Sequence, residues 1–130
     1  MLPRYVTSKG FDRFCLSGGH AVSVAYASSR LLARVPTAQR APLRGRIVLA
    51  LTNSPFYALR SITPGATLSA ARSALHLSAP LRIGANTWYF MPGAGVDGVL
   101  EVRDGVVDEI GIAARTIAAA GVRARTMRSL

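Results

Sequence analysis

Three groups of side chains have types and spacings that chemistry uses. Cys15 and His20 flank Gly18-Gly19, with Asp12 three residues ahead of the cysteine. Such a set could supply a thiolate, its base and an orienting carboxylate. Strand alternation argues against it: Cys15 is odd and His20 even, and a lone strand cysteine ordinarily behaves as a small buried hydrophobe. Glu101, Asp108 and Glu109 gather on the last hairpin, where paired carboxylates could act as acid and base. The register argued below puts Glu101 and Glu109 on the polar side and Asp108 on the other, so they are expected not to converge but to be solvated. His76 ends a predicted helix with Arg72 one turn back, a placement that the helix dipole favours for a cation. With two histidines and one cysteine, no metal-ligand spacing exists. Ser17-Gly18-Gly19 and Pro92-Gly93-Ala94-Gly95 read as turns, since neither leads from a strand into a helix as phosphate-binding loops do. No catalytic residue, cofactor or metal is assigned, and the reading leans away from an enzyme.

Charge offers a second route to function. The formal net charge is +10. Residues 1–96 hold eleven Lys or Arg against Asp12 alone, whereas residues 97–130 hold five Arg against five acids. Such a surplus attracts phosphates or anionic lipid. Arg30 and Arg34 share a predicted helix face, Arg40, Arg44 and Arg46 follow directly, and Arg60 and Arg72 add to the surplus, with Tyr57 or Tyr89 as stacking platforms. No recognised nucleic-acid motif accompanies them. Fifteen of the sixteen basic residues are Arg, beside abundant Ala, Gly, Val and Leu. GC-rich codon usage accounts for that ratio without a ligand, though not for the shortage of acids.

The chain has 130 residues, half of them apolar, enough for one domain with a continuous core. Its apolar runs, such as Ile47–Leu51, fall far short of the roughly 20 residues that span a bilayer. No export signal precedes Phe11, and strand-like sequence begins so early that the chain could be a module of a longer bacterial product, extracytoplasmic in that case. Cys15 is the only cysteine, so an internal disulfide is excluded and the compartment stays open.

The elements that must position these residues follow from periodicity. Phe11–Tyr26 reads as two strands around Ser17-Gly18-Gly19, with even positions apolar. Ser28 or Ser29 caps a short helix over 30–35, burying Leu31, Leu32 and Val35, and Pro36 stops it. Ile47–Thr52 is apolar on both alternating faces, as a covered central strand requires. Phe56–Ile62 reads as a returning strand, and Thr67 caps a helix to about Leu77 whose Leu68, Ala71 and Leu75 face the sheet. Leu81–Met91 reads as one strand, with Trp88 and Phe90 opposite Tyr89 and Met91. In the last hairpin, a three-residue loop Arg103-Asp104-Gly105 with Gly105 left-handed keeps Leu100, Val102, Val106, Ile110 and Ile112 on one side. The expected order is β-β-α-β-β-α-β-β-β, an α+β two-layer sandwich: a mostly antiparallel twisted sheet with two helices on one face. Residues 1–10 are read as a lead, 11–114 as the domain, and 115–130 as a basic tail, helical or frayed.

The run Ile62-Thr-Pro-Gly-Ala-Thr-Leu, its helix, Ser78-Ala-Pro, Thr87-Trp-Tyr-Phe and Val102-Arg-Asp-Gly-Val-Val-Asp-Glu-Ile resembles the small α+β domains of the β-lactamase-inhibitory-protein and outer-membrane-assembly lipoprotein superfamily. The resemblance covers residues 62–112. Pro64, Gly65 and Thr67 match the helix start, while Ser69-Ala70 replaces the usual acidic residue, Leu77-Ser-Ala-Pro replaces Leu-Gly-x-Pro, and no lipid-attachment cysteine stands at the start. It implies scaffolding or protein inhibition. The expected function is therefore a non-enzymatic protein-binding or structural domain, working through a sheet face turned away from the helices that carries Tyr89 and Met91 with Arg60 nearby. The alternative is a nucleic-acid-binding module using Arg30, Arg34, Arg40, Arg44 and Arg46.

Overall fold

A computed structural model describes residues 11–130; the expected ten-residue lead lies outside them. Seven strands form one sheet: β1 (Phe11–Cys15), β2 (Ala21–Tyr26), β3 (Ile47–Thr52), β4 (Leu81–Ile83), β5 (Asn86–Met91), β6 (Val96–Arg103) and β7 (Val106–Ala114). Their spatial order is β1-β2-β3-β7-β6-β5-β4, and every neighbouring pair is antiparallel. Two meanders, β1–β3 and β4–β7, are thus joined along β3 and β7. Five short helices accompany the sheet: α1 (Ser29–Leu32), α2 (Arg40–Leu43), α3 (Leu68–Ala74), α4 (Arg115–Ala118) and α5 (Arg123–Met127). The architecture is α+β, and no helix among the described residues is long and apolar enough to cross a membrane.

Local chemistry explains the helix starts. Ser28 Oγ accepts the Leu31 amide at 3.2 Å, and Thr67 Oγ1 accepts the Ala70 amide at 3.1 Å, each satisfying a first-turn donor. Both helices end sooner than expected, α1 before Val35 and α3 at Ala74. Val35 is buried all the same.

The two helices expected on one face in fact lie on opposite faces. Trp88 and Phe90 pack into a core with Leu31, Leu32, Val99, Ile117 and Met127, whereas Tyr89 and Met91 pack into another with Ala71, Leu75, Leu100 and Ile110. Successive strand residues point to opposite sides, so α1, α4 and α5 cover one face and α3 covers part of the other. A strand apolar on both sides needs cover on both. Residues 115–130 are consequently no tail outside the domain: Ile117 and Ala118 are fully buried, and Thr126 and Met127 nearly so.

Three local expectations are corrected. Phe56–Ile62 is not a strand; after Pro55 it loops out, held by one Leu59 and Ile62 bridge around a left-handed Arg60. The place beside β3 is taken by β7. Leu81–Met91 is a hairpin, because Gly84 turns left-handed between β4 and β5. Finally, Arg103 pairs directly with Val106, which overturns the three-residue loop. Asp104 and Gly105 both have positive φ, 52° and 75°, the two-residue turn that Asp-Gly favours. The parity conflict is resolved further along, where Glu101 pairs with Glu109 but Val102 pairs with Val107. This bulge in β7 buries Val107 and Ile110 together and turns Val106 outward.

The joint between the meanders depends on Gly111, where a Cβ would run into the Ala50 carbonyl of β3. Gly111→Ala is expected to cost about 3 kcal/mol, the upper range for overpacking, because backbone rather than a side chain must yield. Gly121→Ala meets nothing within 4 Å. Urea midpoints of the two variants should differ accordingly; equal midpoints would show that the joint has slack.

Candidate functional site

The β7 bulge also rearranges the carboxylates. Its extra residue brings Asp108 toward the side that carries Glu101 and Glu109, so one donor oxygen from each lies within 4.8 Å of the others. The expectation that Asp108 points away is corrected for that reason. Glu101 is only 7% exposed. Its Oε2 accepts from Asn86 Nδ2 at 3.4 Å, and Asn86 Oδ1 in turn accepts from Arg103 Nε at 3.0 Å. Burial, followed by the charges of Glu109 and Asp108, pushes the Glu101 carboxyl up to about 8. Burial also raises Glu109, against the pull of a hydrogen bond from Glu101 and of Arg13. At neutral pH the pair therefore holds a proton between two strands, as close carboxylates do.

A recess of about 350 Å³ opens beside the pair, walled by Leu49, Leu51, Ile83, Trp88, Met127 and Leu130. The three carboxylates are the hard oxygen donors of a Ca²⁺ or Mg²⁺ site, but such ions take six or more ligands, and the remaining walls are apolar apart from Asn86. No nucleophile lines the recess. The pair can hold and release a proton, yet nothing beside it would orient a reacting group.

The other chemical candidates stay apart. Cys15 is exposed on β1, while Asp12 pairs with Val24 on the opposite face and lies against Tyr26. Leu16 N donates to His20 O at 2.7 Å, closing the β1–β2 turn as a structural feature. Arg30, Arg34, Arg44 and Arg46 are exposed along the α1–α2 side, and Arg40 is held by Val35 O at 3.0 Å. None of these five has a carboxylate partner among the described residues, whose one ion pair joins Arg115 and Asp97 at 3.4 Å.

The expected protein-binding face is covered. Tyr89 and Met91 are 4% and 8% exposed beneath α3, and Arg60, on the loop before α3, lines a small recess with Met91, Leu75 and His76. What α3 leaves open is the β2–β3–β7 half of the same face. There Val22, Ala50, Ile110 and Ile112 form a groove of about 320 Å³ with Tyr57, Ala58 and Leu59 from the loop. Ile47, opposite Tyr26, extends the same face. Exposed large apolar side chains stand here: Tyr57 at 55%, Ile112 at 48% and Ile47 at 47%, with Phe56, 88% exposed, preceding Tyr57 on the loop. The sequence signal for this surface was Pro55-Phe56-Tyr57, an aromatic pair directly after a turn; reading it as strand hid it. Comparison of the chain with protein-family models, with curated proteins and with solved structures gave no match.

Proposed function

We propose that this is a non-enzymatic protein-binding domain whose working surface is the uncovered β2–β3–β7 half-face with Phe56 and Tyr57. The observation that carries the reading is the apolar groove with exposed Tyr57 and Ile112 in its wall and exposed Ile47 on the same face of β3, where a lone domain has reason to avoid a contiguous apolar patch. Its partner is a protein segment that presents apolar side chains flanked by Asp or Glu. Arg46 precedes Ile47 and Arg60 follows Leu59 in the chain, and no acidic residue lines the groove, so an acidic rim complements the site. The resemblance of residues 62–112 to a superfamily with scaffolding and inhibitory roles supports the same direction.

Fluorescence anisotropy with labelled peptides tests this. An apolar peptide with acidic flanks should bind, and Ile112→Asp or Tyr57→Asp should weaken it at least about tenfold, as loss of an interface anchor does. Both positions are exposed, so circular dichroism should be unchanged. Equal binding of a peptide with basic flanks, or indifference to Ile112→Asp, would refute the surface. Salt-sensitive capture of an oligonucleotide that Arg30→Gln with Arg34→Gln abolishes, with no peptide bound, would transfer the function to the arginine surface.

A further inference from the structure

We propose that a second site, at the free edge of β5, binds the phosphate group of a small soluble phosphorylated ligand up to nucleotide size. β4 pairs only with Asn86–Trp88, so the next part of β5 has no strand on its outer side. Ser78 takes that place: its amide donates to Phe90 O at 2.8 Å, and its Oγ accepts from Phe90 N at 2.9 Å. This clamp fixes the chain as it crosses the sheet edge. A cleft of about 680 Å³ opens against the crossing, with Arg72, His76 and Arg123 among its walls.

The cations come from both layers. Arg72, just before the end of α3, donates to Tyr89 Oη at 3.1 Å and sits 5.5 Å from that ring's centroid. Arg123, at the start of α5, sits 4.7 Å from the centroid of Phe90. Tyr89 and Phe90 are neighbours on one strand and point to opposite faces, so the two guanidiniums flank the sheet edge, each seated on an aromatic ring. Such seating orients an arginine fork in advance.

Among the described residues no carboxylate pairs with either. All six acids, Asp12, Asp97, Glu101, Asp104, Asp108 and Glu109, lie on β1, β6, β7 or the turn between the last two. None lines the cleft. Arg123 Nε is buried and has no acceptor among the described residues, a costly state for a charged donor. The same guanidinium lines the wall of the cleft, where an oxyanion would meet its charge. Cations arriving from two faces suit a tetrahedral anion, which accepts from several directions, better than a planar carboxylate. The volume is that of a small-ligand pocket, and two arginines and a histidine in one recess do not make a track for a polymer.

Isothermal titration with inorganic phosphate, pyrophosphate and adenosine diphosphate tests this, with adenosine and a twelve-nucleotide single strand as controls. Saturable 1:1 binding of pyrophosphate and the diphosphate, competed by phosphate, is expected, with no binding of adenosine. Arg72→Gln and His76→Gln are exposed changes that should each weaken binding by about tenfold, the scale of one charge-assisted contact, while Arg30→Gln with Arg34→Gln leaves it unchanged. Ile112→Asp should also leave it unchanged, which separates this site from the apolar face. Absence of saturable binding by any phosphate probe at millimolar concentration would overturn the proposal. So would indifference to Arg72→Gln, or preference for the oligonucleotide with sensitivity at Arg30 and Arg34.

Discussion

Deleting residues 115–130 is expected to leave a chain that does not fold cooperatively. The segment looks dispensable by composition, with Ala-rich sequence and four arginines from Arg115 to Arg128 interrupted by Gly121. Its apolar residues are nonetheless integral to the core under β2, β3 and β5: Ile117 packs there fully buried with Leu31, Val48 and Phe90. Thr126 ties the segment to itself, its hydroxyl donating to Ile117 O at 2.6 Å. Ile117→Ala alone should cost about 3 kcal/mol, the loss of a buried branched side chain plus the cavity it leaves. Arg125→Ala, at an exposed position, should be close to neutral. Thermal melts followed by near-ultraviolet dichroism check both. A cooperative melt from residues 1–114 would show that the sheet stands without its second cover.

Glu101→Gln is expected to raise stability at alkaline pH and to flatten its pH dependence. The Glu101 carboxyl is raised from 4.5 to about 8 in the folded protein, so between those values the folded state binds more protons than the unfolded one. Stability is then fully present below about pH 4.5 and falls as pH rises through 8. The groups facing Glu101 are Glu109 and Asp108 on β7, with Arg13 of β1 offsetting Glu109. Glutamine keeps a neutral side chain at every pH. At pH 8.5 the variant should exceed the parent by on the order of 3 kcal/mol, the linkage value for such a shift shared between two carboxyls. For a domain of this size that is roughly 10 °C in Tm. Urea titrations from pH 5 to 9 measure it directly; parallel curves for parent and variant would mean that Glu101 is ionised in the fold.

Much of the framework was legible, for physical reasons that differ by element. Thr67 and Ser28 announce helix starts because a capping hydroxyl acts within three residues. Phe11–Cys15, Ala21–Tyr26 and Ile47–Thr52 announce themselves by alternation. The Asp104-Gly105 turn was visible, but its type was misjudged because a bulge three residues away could restore the same parity, and single-strand patterning does not distinguish the two. That miss hid the convergence of Glu101, Asp108 and Glu109. The cover over Tyr89 and Met91 was equally hidden, since an apolar run on both faces says that both are buried and not which helix buries each. Arg123 could not be connected with Arg72 before the fold brought β5 between α3 and α5.

The union of the two meanders along β3 and β7 has a consequence for how the chain matures. Each meander is built from near neighbours, but Thr52 must find Ile110 across more than fifty residues, a search whose entropy must be met before any contact rewards it. Leu31 and Leu32 wait for Ile117 and Met127 as well. During synthesis, then, α1 and β1–β3 emerge with their sheet face bare and remain so until Ile117 and Met127 have followed. The interval between those two moments is when this chain is most exposed to mispairing.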